Sequence, residues 1–157
     1  MQSGRRLLGA GGPILLVMAP TVLGLFLLSW WFDLWIPRPW RRLARVVGVG
    51  LVLAGGGTVL VAGRRLRQAR AAGRLCTSGP YRYVRHPLYA TWIWLLLPGG
   101  TLLVGLWPGL LSAPAMFLVT RRFLAREERR LREQFGAAYA AYAASVPALA
   151  PRLGGRQ

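Results

Sequence analysis

The chain has 157 residues, a formal net charge of +17, and a composition that is 54% hydrophobic. Its mean hydropathy of +0.38 is typical of a membrane protein, and its length allows one domain spanning residues 1–157. Every cation is arginine, and the arginines lie at the ends of apolar blocks, where they can reach lipid headgroups. This placement argues against nucleic acid as a partner. One cysteine and one histidine exclude an intrachain disulfide and an ordinary zinc or haem site, so no metal is expected.

Two apolar blocks in the first half predict membrane spans at about 13–36 and 43–62. Proline stops the first span after a cluster of tryptophans typical of a membrane interface. These tryptophans are Trp30, Trp31, Trp35 and Trp40. Small residues on the second span would let a neighbouring helix approach closely. Its glycines are Gly48, Gly50, Gly55, Gly56 and Gly57.

The second half begins with a polar connection at 64–85, which carries seven arginines. The apolar residues that follow predict a tight hairpin of two short spans, at about 88–104 and 106–122. Breaks are expected at Pro98-Gly99-Gly100 and Pro108-Gly109, because proline and glycine interrupt helices.

A helix is predicted from about 121 to 144, because apolar residues recur there at helical spacing with arginines opposite. The fold class is therefore an all-α polytopic membrane protein with about four spans and a C-terminal cytoplasmic amphipathic helix. With four spans, seventeen of the 21 arginines share one side of the membrane. The positive-inside rule then places both termini in the cytoplasm. The use of arginine without lysine suggests a GC-rich genome and a bacterial inner membrane.

Glu127 and Glu128 are half of the chain's four acidic residues, and both fall beside the apolar stripe of this last helix. A carboxylate in that position is costly unless it has a partner. Glu128 could pair with Arg132 at i, i+4 on the helix surface. Alternatively, one glutamate turns inward to a polar ligand at the membrane edge.

A second concentration of polar side chains lies at 78–89, immediately before the third span. It contains the only histidine, His86, together with two arginines and three tyrosines. Such residues often only anchor a membrane interface. Arginines also suit a carboxylate, phenols suit hydroxyls, and aromatic faces suit a nucleobase or a sulfonium. With a distant glutamate, the segment could hold a zwitterionic, nucleoside-bearing cofactor.

These two segments together resemble the isoprenylcysteine carboxyl methyltransferase and phospholipid methyltransferase superfamily. Residues 77–89, Thr-Ser-Gly-Pro-Tyr-Arg-Tyr-Val-Arg-His-Pro-Leu-Tyr, are similar to its first motif. The run from Glu127-Glu128 through Phe135-Gly136 to Val146-Pro147 is similar to its second. The resemblance implies an integral membrane methyltransferase that uses S-adenosylmethionine, with a cofactor-binding core at about 73–151.

The resemblance also implies the residues that contact the cofactor. They are Arg74, Leu75, Cys76, Tyr81, Arg85, His86, Pro87, Leu88, Tyr89 and Glu127. Glu128 is a possible support, and no catalytic base is assigned. One position departs from the family, which often has glycine where this chain has Thr91.

Methyl transfer from a sulfonium requires positioning and exclusion of water but no covalent intermediate. The predicted acceptor is a lipophilic or small molecule that enters from the bilayer, between the second span and the hairpin. Its attacking atom could be a carboxylate, amine or thiol. Two alternatives remain at this point: an NADPH-dependent membrane reductase of the sterol-reductase type, and a non-catalytic membrane protein.

Overall fold

A computed structural model describes residues 11–150, and in that range the secondary structure is helical, which confirms the all-α prediction. The helices are α1 (Gly11–Trp31), α2 (Arg38–Ala71), α3 (Pro87–Thr91), α4 (Leu97–Val104) and α5 (Ser112–Ser145). Shorter turns are the 3₁₀ segments Gly79–Arg82 and Trp107–Leu111 and the π-helical segment Trp92–Leu96.

The first helix ends earlier than the predicted span of 13–36, at Trp31. Asp33 has a positive φ of 54°, so the chain leaves the helical conformation before it reaches Pro37. The Ile36 amide then donates to the carbonyl of Gly105, at a distance of 2.8 Å. This bond joins the segment between α1 and α2 to the turn after α4.

The α2 helix packs closely against α4 through glycine, as its composition predicted. A Cβ atom at Gly48 would lie 2.8 Å from the carbonyl oxygen of Gly99. A Cβ atom at Gly55 would lie 2.6 Å from Cδ2 of Leu96. Gly48 therefore admits only glycine without movement of the neighbouring helix, because its neighbour is backbone. At Gly55 a Cβ atom would require the Leu96 side chain, in the π-helical segment before α4, to shift.

The arginine-rich connection predicted at 64–85 is partly helical, because α2 continues to Ala71. Arginine, leucine and alanine favour helix, and no glycine follows until Gly73. Leu66 and Ala69, on this extension, pack against the buried residues Cys76 and Tyr81. The extension thus packs against the loop that carries the first motif.

The predicted break at Pro98-Gly99-Gly100 is wrong, because α3, the π-helical segment and α4 form one 18-residue helix, Pro87–Val104. A proline inside an α-helix clashes with the carbonyl four residues earlier. The π-helical segment just before it changes the hydrogen-bond register there, which accommodates Pro98. The helix ends at Gly105, which has a φ of 86°.

The last helix joins two predicted elements, the span at 106–122 and the amphipathic helix at 121–144. Residues Trp107–Leu111 are a 3₁₀ turn, so α5 begins only at Ser112. It runs through Arg121 without interruption and is broken once, at Gly136, where φ is 54° and ψ is −129°. This conformation is essentially restricted to glycine, and it turns the last part of α5.

Two helices in the described range are long and apolar enough to cross a membrane, Arg38–Ala71 and Pro87–Val104. A shorter apolar helical stretch covers Ala19–Trp31. Large apolar side chains such as Leu27 and Leu53 are exposed on α1 and α2, which suits contact with lipid. The fourth span and the cytoplasmic position of the last helix stay predictions.

Candidate functional site

The loop before α3 sets the geometry of the site through its glycine and prolines. Gly79 has a φ of 61° and opens the 3₁₀ turn Gly79–Arg82. His86 lies just before Pro87, which disfavours a helical conformation at that residue, so α3 starts at Pro87. Arg85, His86 and Tyr89 are thereby presented toward α5.

Arg85 is fully engaged with protein groups. Its Nε and Nη2 donate to Oε1 of Glu128 at 3.0 and 2.6 Å. Its Nη1 donates to the carbonyls of Ala143 and Val146 at 2.8 and 2.6 Å. The Arg85 and Glu128 side chains are 13% and 15% exposed, so this is a well-shielded, charge-assisted pair. The arginine joins three parts of the chain: the loop, the middle of α5 and the segment after α5.

The pKa of Glu128 is set by His86 and Arg85. Nε2 of His86 lies 3.5 Å from Oε1 of Glu128. The His86 imidazole and the Arg85 guanidinium lower the pKa of Glu128 to about 2, against burial, which raises it. The pair predicted with Arg132 is long, at 3.9 Å, and Arg132 is exposed. Glu128 therefore serves mainly as the anionic centre of a buried cluster.

His86 is buried, and its Nε2 atom has no hydrogen-bond partner within residues 11–150. Its backbone amide donates to the carbonyl of Ala148 at 3.1 Å, which fixes the backbone next to the segment after α5. A buried polar atom without a partner is unfavourable unless a ligand or water satisfies it. Nε2 of His86 thus lies near the Glu128 carboxylate without a hydrogen bond of good geometry, and it can still bond to a ligand.

Glu127 faces a different partner from its neighbour Glu128. Its Oε2 accepts a long hydrogen bond, 3.3 Å, from the hydroxyl of Tyr89. The ring of Tyr89 lies 6.1 Å from that of His86, between centroids. Glu127 is half-buried and makes no ion pair among the described residues. Its remaining acceptor capacity is open to a ligand.

Tyrosines form the other wall of this region. The Tyr142 hydroxyl donates to the carbonyl of Tyr81 at 2.7 Å. Tyr139 is fully buried, and its hydroxyl has no partner in the described part of the chain. Burial raises the pKa of Tyr81, Tyr139 and Tyr142 above the ordinary phenol value. All three phenols therefore stay neutral at physiological pH.

The structure divides the predicted contact residues into groups. Arg85, His86, Tyr89, Glu127 and Glu128 come together, and we call them the polar cluster. Beside it, Cys76 and Tyr81 are buried together, with Leu88 packed against them.

The remaining predicted residues lie at the edge of these groups. Burial raises the pKa of the Cys76 thiol, which makes it a poor nucleophile. Leu75 is half-buried, and Arg74 is exposed, with its amide bonded to the carbonyl of Ala69 at 2.9 Å. Pro87 faces a separate cavity.

That cavity has a volume of about 470 Å³ and an almost entirely apolar lining. Its walls come from four stretches of chain: α2, the 3₁₀ turn, the helix Pro87–Val104, and residues 149–150. The lining includes Thr58, Tyr83, Ala90, Thr91, Trp94 and Leu149. Ligand pockets are commonly of this size and character. The sequence predicted entry of the acceptor between the second span and the hairpin, but not the lining, because α2, the segment from Pro80 to Leu95 and residues 149–150 come together only in the tertiary structure.

Sequence reasoning also missed the residues that join the polar cluster to the cavity. The chain leaves α5 at Val146, which has an extended conformation, and residues 146–150 then cross the cluster; we call this segment the strap. The carbonyls of Pro147 and Ala148 accept from the amides of Arg85 and His86. Trp94 Nε1 donates to the carbonyl of Leu149 at 3.1 Å. The Val146-Pro147 pair was the one available signal, since proline after a helix marks an extended exit.

Residues 63–133 match the isoprenylcysteine carboxyl methyltransferase (ICMT) family. The matched region contains the first motif, both glutamates and the whole polar cluster, and it confirms the resemblance seen in the sequence. It indicates, in general terms, a membrane methyltransferase. No curated protein and no solved structure matches the chain.

Proposed function

Taking the ICMT family match of residues 63–133 as the premise, we propose that this chain is an integral membrane methyltransferase that uses S-adenosylmethionine. The polar cluster is the cofactor site, and the apolar cavity beside it takes a lipophilic acceptor. The observation that carries the proposal is that His86 and Glu127, from distant positions in the chain, both lie against Tyr89. Each retains unused hydrogen-bonding capacity.

The residues of the cluster fit the chemistry of this cofactor. Its methionine part carries a carboxylate and an ammonium, and its nucleoside carries ribose hydroxyls and a base. The free Nε2 of His86 and the buried hydroxyl of Tyr139 can donate to the carboxylate. The half-buried Glu127 carboxylate suits the ammonium or the ribose hydroxyls. When bound, S-adenosylmethionine supplies an electrophilic methyl group on a sulfonium.

The remaining predicted contacts surround this core. Tyr81 and Tyr89 offer aromatic faces to a cation. Cys76 and Leu88 offer apolar surface to the nucleoside, with Leu75 and Arg74 at the edge, whereas Pro87, also predicted as a contact, lines the acceptor cavity. Since all three guanidinium nitrogens of Arg85 already have protein partners, we assign Arg85 a positioning role, with Glu128 as its support.

The acceptor is a molecule with an apolar chain that reaches the cavity from the bilayer. The cavity lies between α2, at Thr58, and the helix that begins at Pro87, which is the lateral route expected from the sequence. Its apolar walls exclude water from the reacting atoms. The two sites meet at consecutive residues, because His86 belongs to the polar cluster and Pro87 lines the cavity. The acceptor's attacking atom would be held at this boundary.

Glu128 and the tyrosines beside the cluster do not supply a base at neutral pH, which favours an acceptor that needs none. Glu128, with a pKa of about 2, is too weak a base to take a proton at neutral pH. The phenols of Tyr81 and Tyr142 have raised pKa values and are neutral there. A carboxylate is already deprotonated at that pH, so we favour it over an amine or a thiol as the acceptor group.

The proposed placement in the membrane has four spans and both termini in the cytoplasm. The first half of α5 runs antiparallel to the helix Pro87–Val104, as the Trp94–Phe117 contact of 5.9 Å between ring centroids and the Tyr89–Glu127 bond show. This part of α5 is the fourth span, and α1 is the first. The arginine distribution puts the cluster on the cytoplasmic side of a bacterial inner membrane.

Calorimetry on the purified protein in lipid nanodiscs tests the cofactor directly. We expect S-adenosylhomocysteine to bind and NADPH to give no heat. Glu127→Gln should weaken binding by about tenfold or more, because it removes a charged acceptor. The matched control is Glu133→Gln, since Glu133 is on the same helix but exposed. Binding of NADPH alone, or equal affinity in the two variants, would overturn the assignment.

A further inference from the structure

The cavity and the polar cluster share the strap as a common wall. On one side, the strap carbonyls of Pro147 and Ala148 accept from the amides of Arg85 and His86, at 2.8 and 3.1 Å. On the other, the side chain of Leu149 lines the cavity. The five-residue strap thus bonds to the polar cluster at 146–148 and lines the cavity at 149–150, so a displacement of the strap at one site would be passed along the chain to the other.

Trp94 fixes the cavity side of this wall. Its indole ring lines the cavity, and its N–H donates to the carbonyl of Leu149 at 3.1 Å. Leu149 is 4% exposed and packs in the apolar core with Ile93, Met116 and Leu124. The end of the strap is therefore anchored by one hydrogen bond and one buried side chain.

Arg85 fixes the cluster side. Its Nη1 holds the carbonyls of Ala143 and Val146, at the point where α5 becomes the strap. The same guanidinium is held by Glu128, which lies 3.5 Å from Nε2 of His86. A ligand that hydrogen-bonds to His86 would therefore lie next to the point where Arg85 holds the strap.

We infer that Trp94 is a positioning residue that couples the two sites: through the strap, cofactor bound at the polar cluster completes the acceptor cavity. The inference rests on the proposed function. Since coupling between two sites is reciprocal, an apolar ligand in the cavity also tightens cofactor binding. The acceptor is thus held best when the methyl donor is present, which limits unproductive occupancy by bilayer lipid.

Photolabelling with a diazirine-bearing octanol measures occupancy of the cavity without requiring turnover. In the wild-type protein, we expect S-adenosylhomocysteine to raise labelling of the cavity peptides about fivefold, at the low end of allosteric coupling. Labelling of the lipid-exposed side chains of α1, such as Leu27, provides the internal reference and should not change.

Trp94→Phe keeps an aromatic ring in the cavity wall but removes the N–H that holds Leu149. In this variant, S-adenosylhomocysteine should raise photolabelling of the cavity peptides by less than about twofold. Its Kd, measured by calorimetry, should stay within about threefold of the wild-type value. Addition of S-adenosylhomocysteine should slow hydrogen exchange of the amides of residues 149–150 in the wild-type protein but not in Trp94→Phe. Trp107→Phe is the matched control, because Trp107 is as exposed as Trp94, at 47% and 48%, and donates no hydrogen bond to the strap among the described residues.

The outcomes separate this inference from the proposed function. Binding of S-adenosylhomocysteine with unchanged labelling in the wild-type protein overturns the coupling and leaves the cofactor assignment intact. An equal increase in Trp94→Phe and wild type overturns the role of Trp94. Absence of S-adenosylhomocysteine binding to the wild-type protein overturns both.

Discussion

Two consecutive glutamates on α5 have different roles, set by the side chains that face them. Glu128 is held by Arg85 and lies beside His86, so its charge is neutralised within the protein. Glu127 has one long bond to the Tyr89 hydroxyl and remains available. The helical pattern predicted that one glutamate turns inward but not which, since both lie near the apolar stripe, and the family resemblance named Glu127 as the cofactor contact.

Lowering the pH should destabilise the protein through Glu128. Its pKa is about 2 in the folded state, below the ordinary glutamate value of 4.5. The stabilisation is therefore complete above pH 4.5 and is lost as the pH falls from there toward 2. We expect the thermal unfolding midpoint in detergent to decrease over this range.

Glu128→Gln should flatten that decrease and should be less stable than wild type at pH 7, because Arg85 loses its charged partner. Glu133→Gln, at an exposed position, controls for the general effect of removing one acid. Parallel pH profiles for wild type and Glu128→Gln would contradict this account of the cluster.

The close contact between α2 and α4 depends on individual glycines. Gly48 faces the backbone of Gly99, whereas a Cβ atom at Gly50 would meet no atom within 4 Å. Gly48→Ala should therefore cost about 1–3 kcal/mol of stability through overpacking. Gly50→Ala should be neutral or stabilising by up to about 1 kcal/mol, because alanine favours helix.

Thermal unfolding of the two glycine variants in the same nanodiscs is the measurement. The two variants carry the same substitution at positions two residues apart on one helix, so composition and membrane insertion are matched. Equal losses in both variants would show that the contact between α2 and α4 is not set by these glycines.

The helical elements were predictable where apolar runs are long, and their joints were not. The glycines of α2 predicted a packed helix, and α2 does pack on α4. Pro98 did not break its helix, because the π-helical segment before it accommodates the proline. That adjustment depends on hydrogen-bond register, which residue types alone do not reveal.

Across the whole molecule, arginine connections that look alike in sequence have different roles. Part of the 64–85 segment extends α2 and supports Cys76 and Tyr81. Arg85 closes the loop onto α5 and the strap. The motifs predicted the members of the polar cluster because their chemistry is visible in the residue types. The sequence predicted the acceptor route beside α2, but the lining of the cavity and the path of the strap were not predictable, because tertiary packing creates them.

The central claim is that the polar cluster and the cavity together perform methyl transfer to a lipophilic acceptor. The most direct measurement incubates the protein in nanodiscs with methyl-labelled S-adenosylmethionine and a lipid extract of its host. We predict label in one apolar fraction with wild-type protein and with Glu133→Gln, and at least about tenfold less with Glu127→Gln. No label in any lipid, small-molecule or protein fraction, or equal label with Glu127→Gln, would contradict the claim.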